Sequence, residues 1–250
     1  MINYLKIKFI QYKRSKKDFF SMLIRIILYI IPYYLMLSFQ RIDNIGYVLI
    51  SSIVIYVIIN IIVGANFEIF KEYNMNKFVN VLMSPYNFTS FAVAQVLFWT
   101  IIMIFESTII IITLWMLNII PYIENLFNLL LIPFTLLSLI ITAITVNFIL
   151  IYLTITGKSF QYSSLITNIL LLLSGSLFPI QVFPTFIQKI SQIIPFTYIL
   201  ELFRYILVGE SMTFDVKKQI IILILLNILW GLVSYIIYTR KTYPMLKEVE

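Results

Sequence analysis

Long apolar runs alternate with short polar punctuation along this chain. Runs long enough to cross a bilayer, about 20 residues each, fall at 19–39, 45–66, 91–117, 126–155, 162–178 and 220–238. Gln40-Arg41-Ile42-Asp43-Asn44 separates the first two, a turn with Asn118, Pro121 and Glu124 separates the third and fourth, and Gly157-Lys158-Ser159 precedes the fifth. The pattern predicts an all-α polytopic membrane protein, a single transmembrane domain over 1–250 with six transmembrane helices.

Three segments depart from the rhythm. Residues 179–209 are apolar but are cut by Pro179, Pro184 and Pro195 and carry Lys189, Glu201 and Arg204. Each proline breaks the backbone ladder and lipid-facing charge is costly. A re-entrant helical hairpin in the outer leaflet is therefore expected between spans five and six, with short helices at 185–194 and 196–208 and Gly209 as a C-terminal cap. Glu201 and Arg204 stand three apart on one face of the second helix, so they are expected to pair at the aqueous mouth. Tyr198 belongs to the same outer gate. The interval 67–90 is too long for a mere turn, and within it Met75, Phe78, Val79 and Leu82 share a helical face until Pro85 stops the helix. Such a face beneath the membrane must be covered by lipid or by a soluble partner. At the start, Ile2, Leu5, Phe9 and Tyr12 recur at helical spacing among lysines, which predicts an N-terminal interfacial amphipathic helix over 1–18 on the inner leaflet; Ile7 and Ile10 fall off the stripe.

Composition agrees with this picture and narrows the chemistry. At 61% hydrophobic and 12% charged residues, the chain has too little polar surface for a water-soluble globule. Its 18 Lys and Arg against 11 Asp and Glu report topology and anionic-lipid contact rather than nucleic acid. With six spans, twelve basic residues lie inside, five outside and Arg25 within the membrane, so both termini are expected in the cytoplasm and the first run is expected to stay uncleaved. Abundant Ile, Asn and Lys suits a bacterium, which makes its cytoplasmic membrane the expected location.

Cysteine and histidine are absent, which excludes thiol nucleophiles, imidazole bases and the commonest zinc and haem ligands. Gly157-Lys158-Ser159 resembles the end of a phosphate-binding loop, but Tyr152 stands where the first glycine is required. No cofactor is expected on the chain, and any ATP dependence must come from a partner. Asn87-Phe88-Thr89 is a glycosylation sequon placed on the cytoplasmic side by the topology, hence a chance match. Glu106 lies mid-span and is a candidate for lining a translocation path. Aromatics gather near predicted boundaries as an interfacial belt.

Two stretches together resemble the permease subunits of ABC type 2 exporters, especially the drug-resistance branch typified by daunorubicin-efflux permeases. One is Glu68 through Glu72 to Leu82-Met83-Ser84-Pro85; the other is Ser174-Gly175-Ser176-Leu177-Phe178-Pro179, Phe183-Pro184 and Pro195-Phe196-Thr197-Tyr198-Ile199-Leu200-Glu201-Leu202-Phe203-Arg204 with Gly209. Where relatives often carry Gly-Thr, this chain has Asn74-Met75-Asn76-Lys77. The resemblance implies a permease paired with a second copy, same or homologous, above two ABC ATPase subunits that hold ATP and Mg. It also implies that Glu68, Glu72, Met75, Phe78, Val79, Leu82 and Pro85 couple to the ATPase, and that the cargo is a drug, an antimicrobial peptide or a lipid-linked glycan moved outward. A stand-alone channel or secondary carrier is the alternative.

Overall fold

The computed structural model describes residues 5–6, 8–10, 12, 24, 45–74, 88–116, 130–157, 160–175, 180–209, 212 and 214–247. The predicted first span, the coupling residues Met75, Phe78, Val79, Leu82 and Pro85, and Pro179 lie outside the described residues, apart from Ile24. Every described element is helical: α1 (Ile45–Asn74), α2 (Phe88–Met116), α3 (Ile132–Gly157), α4 (Gln161–Leu173), α5 (Thr185–Ser191), α6 (Pro195–Val208), α7 (Val216–Ile237) and α8 (Tyr243–Lys247). Among the described residues, four segments, Leu49–Tyr73, Phe88–Met116, Ile132–Thr156 and Val216–Met245, are long and apolar enough to cross a membrane, and the bent pair α5 and α6 makes a fifth if counted as one span.

Two boundaries differ instructively from the hydropathy reading. The second span was expected to end at 66, yet α1 continues to Asn74. After Gly64 no glycine or proline occurs until Pro85, so backbone bonds carry the helix past the level at which its side chains turn polar. The fifth span was expected to reach 178, yet α4 stops at Leu173. Gly175 takes a left-handed φ of 75° and its amide reaches back to the Leu172 carbonyl at 3.4 Å, which ends the helix. Beyond α7, Pro244 cannot donate to the carbonyl four residues earlier, and a π-turn at Tyr238–Thr242 precedes it.

Contacts fix the helix directions. Tyr56 meets Glu106 and Gly64 meets Trp99, so α1 and α2 are antiparallel. Asn147 donates to the Ile62 carbonyl and Thr154 to Asn66, so α3 runs parallel to α1. Asn227 accepts from Thr142 and Gly231 faces Thr145, so α7 runs parallel to α3. Phe160 packs on Phe67 and Phe70 while Gly175 lies near Ser51 across Arg204, so α4 runs opposite to α1. The end of α4 and the start of α7 therefore lie at the same end of the bundle, the Ser51 end. Glu68 marks the other.

α1 is the central helix, packing on α2, α3, α4 and α6. In lipid there is no hydrophobic drive between helices, so close approach and polar contacts hold them together. At Gly64 an added Cβ would stand 2.7 Å from the Trp99 ring, so only glycine lets α1 and α2 approach there. The hydrogen bonds of Thr142 with Asn227 (2.7 Å) and of Thr154 with Asn66 (3.2 Å) supply interhelical contacts of about 0.6 kcal/mol each on average. At the Glu68 end, Tyr238 stacks on Phe88 and meets Phe148 edge-on, tying the end of α7 to α2 and α3.

Candidate functional site

The proline-broken segment forms an elbow. Pro184 precedes α5, Pro195 is the first residue of α6, and the two helices meet at a bend of 86°. Proline suits a first helical turn because its missing N–H has no intrahelical partner there. The break leaves carbonyls exposed at the end of α5, and at membrane depth each unpaired one would cost several kcal/mol by order of magnitude. Side chains take them up. Ser191 O accepts from the Thr197 hydroxyl at 2.7 Å beside the Ile194 amide at 3.1 Å, Gln192 O from the Tyr198 hydroxyl at 3.0 Å, and Ile193 O from the Trp230 indole of α7 at 3.0 Å. The Ser191 hydroxyl in turn donates to the Leu173 carbonyl, which joins the elbow to the end of α4. Gly209 closes α6 with φ 77°, as the sequence predicts.

α6 then locks three elements at the Ser51 end. Arg204, 5% exposed, donates from Nε to Ser51 Oγ on α1 at 2.7 Å and from Nη2 to the Gly175 carbonyl at 2.8 Å. That carbonyl lies just beyond the C-terminus of α4, where the helix dipole is negative and a guanidinium is favoured. Glu201 accepts from Gln219 Nε2 in the first turn of α7 at 2.7 Å. Glu201 and Arg204 were expected at a water-facing mouth; Arg204 is interior, and the two side chains reach different helices, Arg204 to Ser51 and Glu201 to Gln219. Phe196, Tyr198 and Leu202 are likewise buried within the chain itself rather than turned to lipid.

Glu106, fully buried in α2, accepts from the Tyr56 hydroxyl of α1 at 2.8 Å. At the opposite end, Lys8 forms an ion pair with Glu68 at 2.8 Å, and Glu72 lies half-buried in the last turn of α1. The N-terminal stripe meets protein where the inner leaflet was expected. Leu5, Phe9 and Tyr12 pack on the core, with Phe9 and Tyr12 edge-on to Phe98 at 5.1 and 6.0 Å. Ile10, off the stripe, is exposed.

Sequence reasoning missed Ser51, Gln219, Trp230, Tyr56 and Lys8 as site residues. Ser51, Tyr56 and Trp230 interrupt apolar runs with a hydrogen-bonding group, and that was the available signal; Gln219 stands at the polar head of one. The described helices, bound to one another by such groups, define a multi-pass helical membrane protein. Within that class, the chain belongs to the ABC-2 type transporter family, whose model matches residues 3–208. It is accordingly a permease component of an ABC exporter, a type of subunit that is typically non-catalytic and generally works with an ABC ATPase. Comparison with curated proteins gave no match.

Proposed function

We propose that this chain is the six-span permease of an ATP-driven exporter of the drug-resistance type, moving an amphipathic drug, antimicrobial peptide or lipid-linked glycan out of a bacterial cell. Two ABC ATPase subunits carry ATP and Mg below the membrane, a second permease copy completes the path, and both termini are cytoplasmic. The basic N-terminus lies near anionic headgroups. The observation that carries the reading is the continuity of α1: one helix runs from Ser51, held by Arg204, to Glu68 and Glu72 at the entrance of the coupling segment. Ser51 and Glu68 are 17 positions apart, a rise of roughly 25 Å. Force applied by the ATPases at 67–85 thereby reaches the elbow through a rigid rod.

Helix direction supports a re-entrant elbow. α4 ends and α7 begins at the Ser51 end, so a chain that crossed the membrane once between them would arrive on the wrong side. The test is a pull-down with the cognate ATPase followed by ATP hydrolysis in vesicles across a panel of amphipathic cargoes. Stimulated hydrolysis supports the exporter; no association, together with unaided conduction or exchange, overturns it. The second reading, a stand-alone channel or secondary carrier, is favoured by one observation, the intramembrane carboxylate of Glu106 held by Tyr56.

A further inference from the structure

A cavity of about 210 Å³ lies toward the Ser51 end, between α1, α2, α3 and α6. Among the described residues its lining is aliphatic apart from Phe203 and the hydroxyls of Ser107 and Thr108. Both hydroxyls are turned back onto the same backbone oxygen, the Ile104 carbonyl, at 3.0 and 2.7 Å. Water needs two to four polar partners, and an apolar cavity of about 150 Å³ stays dry and accepts a hydrocarbon. Close-packed interiors do not leave such a volume empty without losing the contacts of every atom around it.

The position of the mouth identifies what enters. Thr108 lines the cavity and is also exposed, and it continues the outward stripe of α2 formed by Phe105 and Ile112. Across the mouth, Leu136 lines the cavity beside Leu137, which is 57% exposed on α3. Phe105, Ile112 and Leu137 lie in helices of membrane-spanning length and composition, so the cavity opens on the surface that meets hydrocarbon. We infer that this groove is a binding site for one alkyl chain of a bilayer lipid, which inserts between α2 and α3 and packs against Ile53, Val54 and Leu139 with Phe203 at its inner wall. The occupant is a lipid of the surrounding bilayer, not the exported cargo. It touches α6 through Phe203 and Leu207, so it fills space beside the helix that carries Arg204.

The test uses the full chain reconstituted without cargo into phosphatidylethanolamine and phosphatidylglycerol vesicles doped with a phosphatidylcholine that carries a diazirine on one acyl chain. After illumination, mass spectrometry maps the adducts. Ile53, Val54 and Leu139 are nearly inaccessible from outside, so adducts on them are expected only if a chain enters. Val54→Phe, which fills the groove, is expected to abolish adducts on Ile53 and Leu139 while those on outward Ile221 and Leu225 of α7 persist. Leu136→Phe, at the half-buried rim, serves the same purpose if the first variant does not accumulate. Wild-type adducts confined to outward residues overturn the proposal, as do adducts on Leu139 that survive filling. Because the chain has no cysteine, Val54→Cys gives a second readout. Resistance to a hydrophilic maleimide is expected, and alkylation at the rate of an exposed thiol shows a water-filled groove and rejects the lipid.

Discussion

Arg204 on α6 and Ser51 on α1 are joined at 2.7 Å although 153 positions separate them in sequence. The same guanidinium reaches the Gly175 carbonyl, so one side chain binds the elbow to two other elements. Arg204→Leu is expected to destabilise the protein by roughly 1–3 kcal/mol, because it removes two buried charge-assisted hydrogen bonds at once. Arg204→Lys keeps the charge but lacks the planar fork that serves both, and is expected to restore only part. Ser51→Ala removes one acceptor and is expected to cost less than Arg204→Leu. Thermal unfolding in detergent gives the order; wild-type stability of Arg204→Lys would show that the fork geometry is irrelevant, and a loss equal to that of Arg204→Leu would show that the charge alone contributes nothing.

The elements of this fold were far more legible than their partners. Pro195 and Gly209 marked both ends of α6 because they act on the backbone directly, whatever surrounds them. Phe196, Tyr198 and Leu202 are buried within the chain, which hydropathy does not reveal because lipid and protein interior are equally apolar. The spacing of Glu201 and Arg204 points to a pair on one helix, and nothing in that spacing names Ser51, Gly175 and Gln219, which arrive from other elements. Hydropathy puts the expected end of the span near Asn66 and says nothing about where the helix stops, at Asn74.

The elbow gives a graded series. Tyr198→Phe, Thr197→Val and Trp230→Phe each deprive one carbonyl of a side-chain donor, and each is expected to cost on the order of 0.5–2 kcal/mol. Pro195→Ala restores a backbone donor and permits α5 and α6 to fuse toward one straight helix. It is expected to reduce transport more than Thr197→Val does, while leaving membrane insertion intact. Transport in vesicles at matched protein density compares them. Wild-type transport by Pro195→Ala would show that the bend is passive packing.

Gly64 offers a test of close helix packing away from the elbow. Gly64→Val places a branched side chain where even a Cβ meets the Trp99 ring at 2.7 Å, and overpacking of this kind costs about 1–3 kcal/mol. Trp99→Leu alone is expected to destabilise by loss of aromatic contact with Phe98. Combined, the two changes are expected to lose less than their sum, since each relieves the fault of the other. Additive losses in thermal unfolding would mean that α1 and α2 shift apart instead of resting on that contact.

Topology can be read with single cysteines in a chain that has none of its own. Asp215, exposed just before α7, is expected to react with an impermeant thiol reagent from outside intact cells once changed to Cys. Lys71→Cys and Arg240→Cys, exposed near the Glu68 end, are expected to react only after the membrane is opened. External labelling at both 215 and 240 would remove the final crossing and with it the re-entrant elbow.

The ion pair of Lys8 with Glu68 separates a supporting contact from a transmitting one. Its side chains are only 16% and 20% exposed, and it joins the N-terminal helical segment to α1 at the start of the proposed coupling segment. Lys8→Glu or Glu68→Lys places like charges where the pair now stands, and either single change is expected to lower ATP hydrolysis stimulated by cargo. The swap Lys8→Glu with Glu68→Lys restores opposite charges in reversed order and is expected to recover a substantial part of that stimulation. Phe9 and Tyr12 still pack on Phe98 in all three variants, so the amount of folded protein is expected to change little. If both single variants keep full stimulation, α1 transmits force without this brace. If the swap loses as much as the two singles combined, the residues act through separate partners and not through each other.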